Sequence, residues 1–475
     1  MTRAFDLTAG PKVWKAPSTN ELLFSPFPVL LNIRRRFFIP GGGVFSLDNC
    51  SNVPDYPPGS QEYKMKILLA PYGTRGDVQP LIALGIALRD RGHRVEVSAP
   101  DNFRAWIQSF GLIFHPVGLD MEQLLGAAGD KIRSLSWMMS HLSEDLIPAQ
   151  FNSLPQTFPD ADIIIGAGLQ FAGASVAEQR RVPYVMVVYC PVAFPSSEHP
   201  APNIKSQRLP RVVNRLTWSL GAVVADLFLQ KSMNRSRALL GLGRVNGAAS
   251  HLITCTHTIL AADPSLAPAP RDLPANVVKV DSLVLDEGGP LDDELAEFLS
   301  SGPPPIYVGF GSMVTGEADR AARMSLEAAE LAGSRLILGS GWTGLGLERD
   351  NLPSWCRVIS TVPHHLLFPR CAAVVHHGGA GTTTTVARAG VPQIVVPHLL
   401  DQFYWAHRVQ LLGLGPQSDR FDYLEAGGLA QNMKAVLNDE SFRQRAASMG
   451  NEIRAREGMT GSVRVIEEIG GGSRI

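Results

Sequence analysis

Histidines, glycines and threonines crowd between two apolar runs in the segment VVHHGGAGTTTTVARAGVPQIVVP, residues 374–397. Glycine clusters raise the entropy cost of folding, so they are tolerated best where the backbone turns sharply or lies against a ligand. This loop follows a predicted strand and begins a predicted helix, so its free amides and the positive end of the helix dipole point at one spot. An anion such as a diphosphate fits there. The candidate ligands are Gly378, Gly379, Gly381, Thr382 and His377.

These residues also have ordinary structural interpretations. Thr382 can simply cap the helix, and the two histidines can be strand-end residues; because adjacent strand residues point to opposite faces, a metal shared by the pair is not expected. A second loop, GFGSM at residues 309–313, offers Gly311 and Ser312 to the same anion. Two such loops in one sheet predict a clamp for a nucleotide diphosphate. Neither has the Walker or Gly-x-Gly-x-x-Gly spacing, which disfavours ATP hydrolysis and dinucleotide binding.

Two carboxylates follow other predicted strands. Asp401 and Gln402 come after IVVPHLL, where a carboxylate and an amide can bind adjacent sugar hydroxyls; Asp401 can also cap the helix that begins at Gln402. In GTRGDVQP, Asp77 lies in the loop after the first strand and faces the predicted cleft. Partial burial raises the pKa of a carboxyl and suits it to general-base catalysis. The alternative is that Asp77 is a helix N-cap, since Pro80 lies in the predicted first turn.

The elements that must position these residues alternate along the chain. KILLAPY, RVEVSAP and LIFHPV are predicted strands separated by helices such as PLIALGIALRDRG, and a second series begins at PIYVGFGS. Such alternation predicts parallel sheets covered by helices on both faces. With 475 residues, two domains are expected. They leave a cleft at the carboxyl ends of their strands, where parallel sheets bind ligands.

Composition limits the partners. Hydrophobic residues make up 45% and charged residues 18% of the chain, and the net charge of −1 lacks the basic excess of a nucleic-acid-binding surface. The five cysteines are an odd number without a Cys-x-x-Cys pair, which favours a reducing cytoplasm. No uninterrupted run of about 20 apolar residues is present, and the candidate LTWSLGAVVADLFL contains Asp226, so no membrane-spanning segment is expected. The N-terminus does not have the pattern of a secretory signal, so export is not expected either.

The first 64 residues have no clear period and are predicted to be an extension with little fixed structure. Within them, LLFSPFPVLLNIRRRFF combines apolar residues with three arginines, a composition suited to peripheral contact with an anionic membrane. A loose extension without such a contact is the alternative.

Several motifs together closely resemble the family-1 glycosyltransferases, in the branch of sterol glucosyltransferases and the glycosyltransferases of antibiotic and lipid glycosides. They are GTRGDVQP, GFGSM, the Pro-His of VPHHLLFPRC, HHGGAGTT, RAGVPQIVVP and DQFYWAHRV, and the resemblance covers about residues 65–470. It implies a GT-B fold of two Rossmann-like, doubly wound domains facing a cleft. The implied division is an acceptor domain at 65–285, a linker at 286–304, a donor domain at 305–455 and a closing helix returning to the first domain at 456–475.

The resemblance also implies roles. Val362 should meet the nucleobase, Ser312, His377, Gly379, Gly381 and Thr382 should surround the diphosphate, Asp401 and Gln402 should hold the sugar, and Asp77 should be the base. Plant relatives have a Trp and a Glu where Thr361 and Thr385 stand here, so both positions agree better with the sterol and antibiotic branch. These departures leave the identity of the nucleotide open, with UDP favoured over TDP. The implied reaction is inverting transfer of a hexose, glucose, from UDP-glucose without a metal ion or bound cofactor.

The acceptor should lie in the first domain. Segments rich in Met, Phe, Trp and Pro suggest an apolar aglycone such as a sterol, polyketide or lipid, with Trp137, Met138, Tyr189 and Phe194 as candidate pocket residues. Such residues are also common in plain hydrophobic cores. Two other functions are considered: a nucleotide-sugar 2-epimerase of GT-B fold, and a non-catalytic nucleotide-sugar-binding partner protein.

Overall fold

A computed structural model describes residues 64–121, 123, 134–253, 257–311, 317–339, 352–360, 362–456 and 458–472. The predicted N-terminal extension and its membrane contact lie outside these residues, as does Ser312. The described residues form two parallel sheets of seven and five strands. This arrangement confirms the predicted pair of Rossmann-like domains.

The first sheet is built from short apolar strands buried on both faces, as parallel sheets require. β1 reads KILLAPY and is buried at every position after the first. The sheet has the order β3-β2-β1-β4-β5-β6-β7, and all its pairings are parallel. Its strands are β1 (Lys66–Tyr72), β2 (Arg94–Ala99), β3 (Ile113–Pro116), β4 (Ile163–Gly168), β5 (Tyr184–Val188), β6 (His257–Ala261) and β7 (Val277–Val280).

The second sheet has the order β10-β9-β8-β11-β12 and is also parallel throughout. Its strands are β8 (Ile306–Gly309), β9 (Leu336–Gly339), β10 (Cys356–Ile359), β11 (Ala373–His376) and β12 (Gln393–Val395). In each sheet the strand order reverses once, between β1 and β4 and between β8 and β11. A crevice opens at such a reversal because the flanking connections leave in opposite directions.

Helices cover both faces of the sheets. In the first domain they are α1 (Arg75–Asp90), α2 (Arg104–Ser109), α3 (Leu135–His141), α4 (Ile147–Ser153), α5 (Gly173–Arg180), α6 (Arg211–Leu239) and α7 (Ala248–Ile253). Further along the chain they are α8 (Asp293–Ser300), α9 (Ala318–Ala332), α10 (His364–Leu367), α11 (Ala380–Ala389), α12 (Gln402–Leu411), α13 (Ala426–Asn438), α14 (Glu440–Arg454) and α15 (Met459–Gly471).

Two helices link the domains. α8 lies within the segment predicted as a linker, and its Leu295 and Phe298 pack in the core of the second domain with Tyr307 of β8. α15 crosses back to the first domain, where Val463 and Ile466 are buried in the core that surrounds β1. Each of these two helices is therefore anchored to one domain by buried apolar side chains.

Candidate active site

The strand order of the first sheet reverses where Asp77 is found. α1 begins after β1, and Thr74 is its N-cap, so Asp77 is the third residue of the helix and not the cap itself. The Asp77 carboxylate accepts hydrogen bonds from the Thr74 backbone N–H at 2.8 Å and from the Thr74 hydroxyl at 3.2 Å. This capping box fixes the carboxylate at the positive end of α1.

Two glycines make room for that carboxylate. Gly73 ends the turn after β1, and Gly168 ends β4 with φ of +66°. A Cβ at Gly168 would lie 2.9 Å from Asp77 Oδ1 and 2.3 Å from the Tyr72 carbonyl oxygen. Gly168 belongs to GAGLQFAG, which only imitates a dinucleotide loop. Sequence reasoning missed its function, although a glycine directly after a predicted strand was the available signal.

The surroundings of Asp77 make it a better base than an exposed carboxylate. Burial raises its pKa to about 6, the hydrogen bonds from Thr74 lower the pKa in part, and the negative charge of Asp401 raises it further. The Tyr189 hydroxyl donates to the Asp77 carbonyl oxygen at 3.0 Å and holds the backbone beneath the carboxylate. At neutral pH the group is therefore ionised yet basic enough to take a proton.

The second reversal carries the glycine loops. α11 begins after β11 with Gly379 as its N-cap, and among the described residues no side chain caps it. Gly378 has φ of +91°, and a Cβ there would lie 2.6 Å from Val395 Cγ1. Gly311 follows β8 with φ of +62°. A helix start that no described side chain caps has free amides, as an anion site requires.

The neighbouring histidines have different surroundings. His376 is fully buried, and its Nδ1 accepts from the Gly378 N–H at 3.1 Å, so Nε2 carries the proton and donates to Gln393 at 3.0 Å. His377 packs between the two loops, with its ring 3.5 Å from a Cβ built on Gly311. Its Nδ1 is buried without a hydrogen-bond partner among the described residues. Burial lowers the pKa of His377 to about 4, so its ring is neutral at physiological pH.

Thr382 differs from two of its neighbours in α11. The hydroxyls of Thr383 and Thr385 donate back to the Gly379 and Gly381 carbonyls, both at 2.9 Å. Thr382 lies half-buried in the first turn, and its hydroxyl forms no hydrogen bond with the described residues.

Asp401 and Gln402 lie where β12 gives way to α12. The Asp401 side chain does not cap this helix, because its carboxylate accepts from Trp405 Nε1 at 2.9 Å. Burial raises the pKa of Asp401 to about 6. The Gln402 side-chain oxygen accepts from the backbone N–H groups of His398 and Leu399, at 2.7 and 3.1 Å. Gln402 therefore shapes the loop, and its NH₂ group is left for a ligand.

The two reversals face each other across one crevice. α1 and α11 are in contact, and Asp401 acts electrostatically on Asp77 from the other domain. Two hydrogen bonds connect the domains beside this contact. Arg408 Nε donates to the Leu266 carbonyl at 2.8 Å, and the Leu400 N–H donates to Asn203 Oδ1 at 2.6 Å. Asp77 at the start of α1 and the glycine-rich start of α11 therefore both belong to helices that meet between the two domains.

The remaining candidates lie around this crevice or in the core. Val362 is half-buried beside Leu367 in the second domain. Trp137 is part of α3 and stacks on His141 with ring centroids 3.9 Å apart, next to the half-buried Met138. Phe194 is fully buried in the main core of the first domain.

The described residues contain no group of three or more His, Cys, Asp or Glu side chains placed to hold a metal ion. Asp160 and Asp162 have Asp-x-Asp spacing, but they precede β4 and so lie at the opposite edge of the sheet from Asp77. Asp162 accepts a hydrogen bond from the Lys66 N–H at 2.7 Å. Its carboxylate serves the start of β1.

Comparison with known proteins places this geometry in a family. Residues 67–194 match the glycosyltransferase family 28 N-terminal domain, and residues 345–469 match the erythromycin biosynthesis protein CIII-like C-terminal domain. Vancomycin aglycone glucosyltransferase of Amycolatopsis orientalis is 34% identical over 399 residues, covering 81% of this chain and 93% of the relative. Sterol 3-beta-glucosyltransferase UGT80A2 of Arabidopsis thaliana is 32% identical over 426 residues, 84% of this chain and 65% of the relative.

The fold is shared with solved glycosyltransferases. The crystal structure of glycosyltransferase VinC in complex with dTDP superposes with a TM-score of 0.64 at 22% identity and covers 86% of this chain and all of that one. The named relatives give no support to the epimerase alternative. Because they are glucosyltransferases, they favour an enzyme over a non-catalytic nucleotide-sugar-binding protein. The chain belongs to the GT-B glycosyltransferases, in the family of the antibiotic and sterol glucosyltransferases, and it is a sugar-transferring enzyme.

Proposed function

We propose that the protein is an inverting transferase that moves glucose from UDP-glucose to a hydroxyl of an apolar acceptor such as a sterol, polyketide or lipid. The observation that carries this proposal is the buried Asp77 carboxyl, whose pKa is raised to about 6 and which lies in the first turn of α1, a helix that contacts α11 of the other domain. A base and a leaving-group site on opposite walls suit a displacement in which the nucleophile and the leaving group lie on opposite sides of one carbon.

The donor is proposed to bind at the second domain. Its diphosphate lies against the first amides of α11 and accepts hydrogen bonds from His377 and Thr382, with Gly311 and Ser312 on its other side. Val362 meets the nucleobase, and Asp401 and Gln402 bind the sugar hydroxyls. Two features support this placement: His377 Nδ1 has no hydrogen-bond partner among the described residues, and no described side chain caps the start of α11. The amides of α11, and Nδ1 when it carries the ring proton, are donors that a ligand can satisfy.

In the proposed reaction Asp77 takes the proton of the acceptor hydroxyl while that oxygen attacks the anomeric carbon. The bond from this carbon to the diphosphate oxygen breaks on the opposite face, so the configuration inverts. The charge that grows on the diphosphate is stabilised by amides already oriented toward it, which do not have to reorganise during the reaction. Asp77 afterwards releases its proton to solvent, as a carboxyl with a pKa of about 6 does at neutral pH.

The acceptor is proposed to bind on the first-domain side, near Tyr189, Trp137 and Met138. Tyr189 supports the backbone of Asp77 directly. The names of the relatives agree with an apolar or aromatic aglycone, since one acts on vancomycin aglycone and another on sterols. Phe194, which is buried in the core, is left out of the proposed pocket.

The experiment is a matrix of donors and acceptors. UDP-glucose and TDP-glucose are each incubated with sterols, polyketide aglycones and long-chain alcohols, and products are detected by mass spectrometry. We expect a hexose adduct with UDP-glucose and, by NMR of the product, a β-glycosidic bond. An α-linked product would refute the inverting mechanism. An epimerised UDP-sugar formed without any acceptor would refute the transferase proposal.

A further inference from the structure

The long helix α6 exposes a continuous apolar stripe. Val212, Leu216, Leu220, Val223 and Leu227 recur every three or four residues, so they lie along one face of the helix. Their exposed fractions run from 56% to 79%. A soluble protein rarely leaves a row of large apolar side chains in water, and such a patch usually marks a binding surface. The five residues are called the α6 stripe below.

The opposite face of α6 fixes the helix to the first domain. Leu229 and Met233 are buried in the main core, and Trp218 Nε1 donates to the His199 carbonyl at 3.1 Å. Near its end, buried Arg237 forms an ion pair with Glu178 at 2.9 Å. Among the described residues α6 is long and apolar enough, by length and composition alone, to cross a membrane. In α6 the buried residues are Asn214 near the start and Leu229, Met233, Ser236 and Arg237 in the C-terminal half, so these positions hold the helix against the domain.

Positive charges flank the α6 stripe at both ends. Arg211 and Arg215 precede or overlap its start, Lys231 and Arg235 follow its end, and all four are exposed. Arg215 lies 3.5 Å from Asp272, while its side chain stays 70% exposed. The other three form no ion pair with any described residue. The helix has a single acidic residue, Asp226, which accepts a hydrogen bond from the Ala249 N–H at 3.2 Å.

This charge pattern decides between two ways of covering the stripe. If a second copy packed α6 antiparallel about a twofold axis, Arg211 and Arg215 would approach the partner's Lys231 and Arg235, and like charges in contact are destabilising. An anionic bilayer offers an apolar layer below a negatively charged surface, which matches a stripe with basic ends.

We propose that α6 docks the protein on the surface of an anionic lipid bilayer. The α6 stripe inserts at the boundary between headgroups and acyl chains, and Arg211, Arg215, Lys231 and Arg235 lie at the lipid phosphates. This inference is independent of the donor and acceptor proposed above. It concerns a different element from the N-terminal extension.

The test is co-sedimentation of the full chain with phosphatidylcholine vesicles that contain or lack phosphatidylglycerol. The stripe variant is Leu216→Gln with Leu220→Gln and Leu227→Gln, and the charge variant is Arg211→Gln with Lys231→Gln and Arg235→Gln. Leu331→Gln with Leu411→Gln is the control, since these leucines are also exposed but lie in the second domain. All substitutions are on the surface, so unchanged thermal unfolding is expected and is checked first.

We expect wild type and the control to bind anionic vesicles and to bind neutral ones much less. The stripe variant should lose at least about tenfold in partitioning, because three leucine side chains no longer leave water for the bilayer. The charge variant should lose about a hundredfold on anionic vesicles only, because three basic side chains are removed, and salt should reduce wild-type binding. Equal binding by wild type and the stripe variant would overturn the proposal. The proposal would also be overturned if wild type bound no vesicles and formed, by light scattering, a dimer that the stripe substitutions dissociate.

Discussion

The two sites in the crevice use the same element in opposite ways. In both domains a strand ends at a reversal of strand order and a helix begins there, α1 in the first and α11 in the second. At the start of α1 a capping box satisfies the backbone from within the chain, because the Asp77 carboxylate accepts from the Thr74 N–H. The N-cap of α11 is Gly379, and no side chain of the described residues caps this helix. The first helix start therefore already holds an anion that can take a proton, whereas the second is open to an anion from outside.

Burial shifts the pKa values of Asp77 and His377 in opposite directions. Burial raises the pKa of Asp77 to about 6 and lowers that of His377 to about 4, because in each case the charged form is disfavoured. The carboxylate becomes more basic, and the imidazole becomes a neutral hydrogen-bonding group. One physical cause thus produces a proton acceptor on one wall and a neutral donor on the other.

The strongest test of this difference is Asp77→Asn, which keeps the shape of the capping box and removes the base. We expect kcat to fall by about 10²–10⁴-fold, the usual contribution of general-base catalysis. Binding of UDP, measured by calorimetry, should stay within about twofold, because the donor site lies on the other helix. Wild-type turnover in this variant would show that Asp77 is not the base.

The open start of α11 is tested by Gly381→Ala. Space around Gly381 is empty, so the methyl group causes no clash within the fold but should keep a diphosphate from the amides. We expect UDP affinity to fall about tenfold, as for loss of one hydrogen bond to a charged group.

Gly427→Ala is its matched control, since Gly427 is also exposed in a first helical turn with nothing near its Cβ position. Both variants should fold, since alanine favours helix over glycine by about 1 kcal/mol. Equal UDP affinity in the two variants would contradict a diphosphate at the start of α11.

Asp77 should also lower stability at neutral pH. Its pKa is raised from 3.8 to about 6, so the folded protein binds its proton more tightly than the unfolded chain does. The stabilisation from this group is complete below about pH 4 and is lost as the pH rises through about 6. Asp77→Asn should therefore be more stable than wild type at pH 8 by about 3 kcal/mol, and equally stable near pH 4. Urea unfolding at both pH values measures the difference, and a variant less stable at pH 8 would refute the assigned shift.

A smaller effect is expected on the pH dependence of activity. In wild type kcat/KM should fall as the pH drops below about 6, when Asp77 becomes protonated. The charge of Asp401 raises the pKa of Asp77, so Asp401→Asn should move this midpoint to lower pH by a fraction of a unit. Activity will also decrease if Asp401 binds the sugar, but the midpoint is independent of that loss. A midpoint that stays or rises would mean that the two carboxyls do not interact.

For His377 we expect no effect of pH on UDP affinity in the neutral range. Because the pKa of His377 is about 4, its ring is neutral from pH 6 to pH 8, and UDP affinity should not fall over that range through this residue. A histidine that bound the diphosphate as a cation would lose affinity as the pH rises through about 6.5. Comparing UDP titrations of wild type and His377→Gln at both pH values separates the two cases.

The sequence alone determined the order of strands and helices, the two parallel sheets and the family. Continuous apolar runs such as KILLAPY, separated by helices of regular period, leave few other arrangements, and glycine-rich loops after strands indicate where a ligand approaches the backbone. The Asp77 and His377 loops were predicted as site residues for this reason, and their proposed roles await the experiments above.

Only the tertiary structure decided which groups meet. Gly168 makes room for Asp77, and Asp401 acts on it from the other domain, although both are far away in sequence. In α6 the regularly spaced residues Leu216 and Leu220 are exposed. A periodic pattern identifies a helix face without saying what covers it, because burial and pKa depend on neighbours brought together by long-range packing.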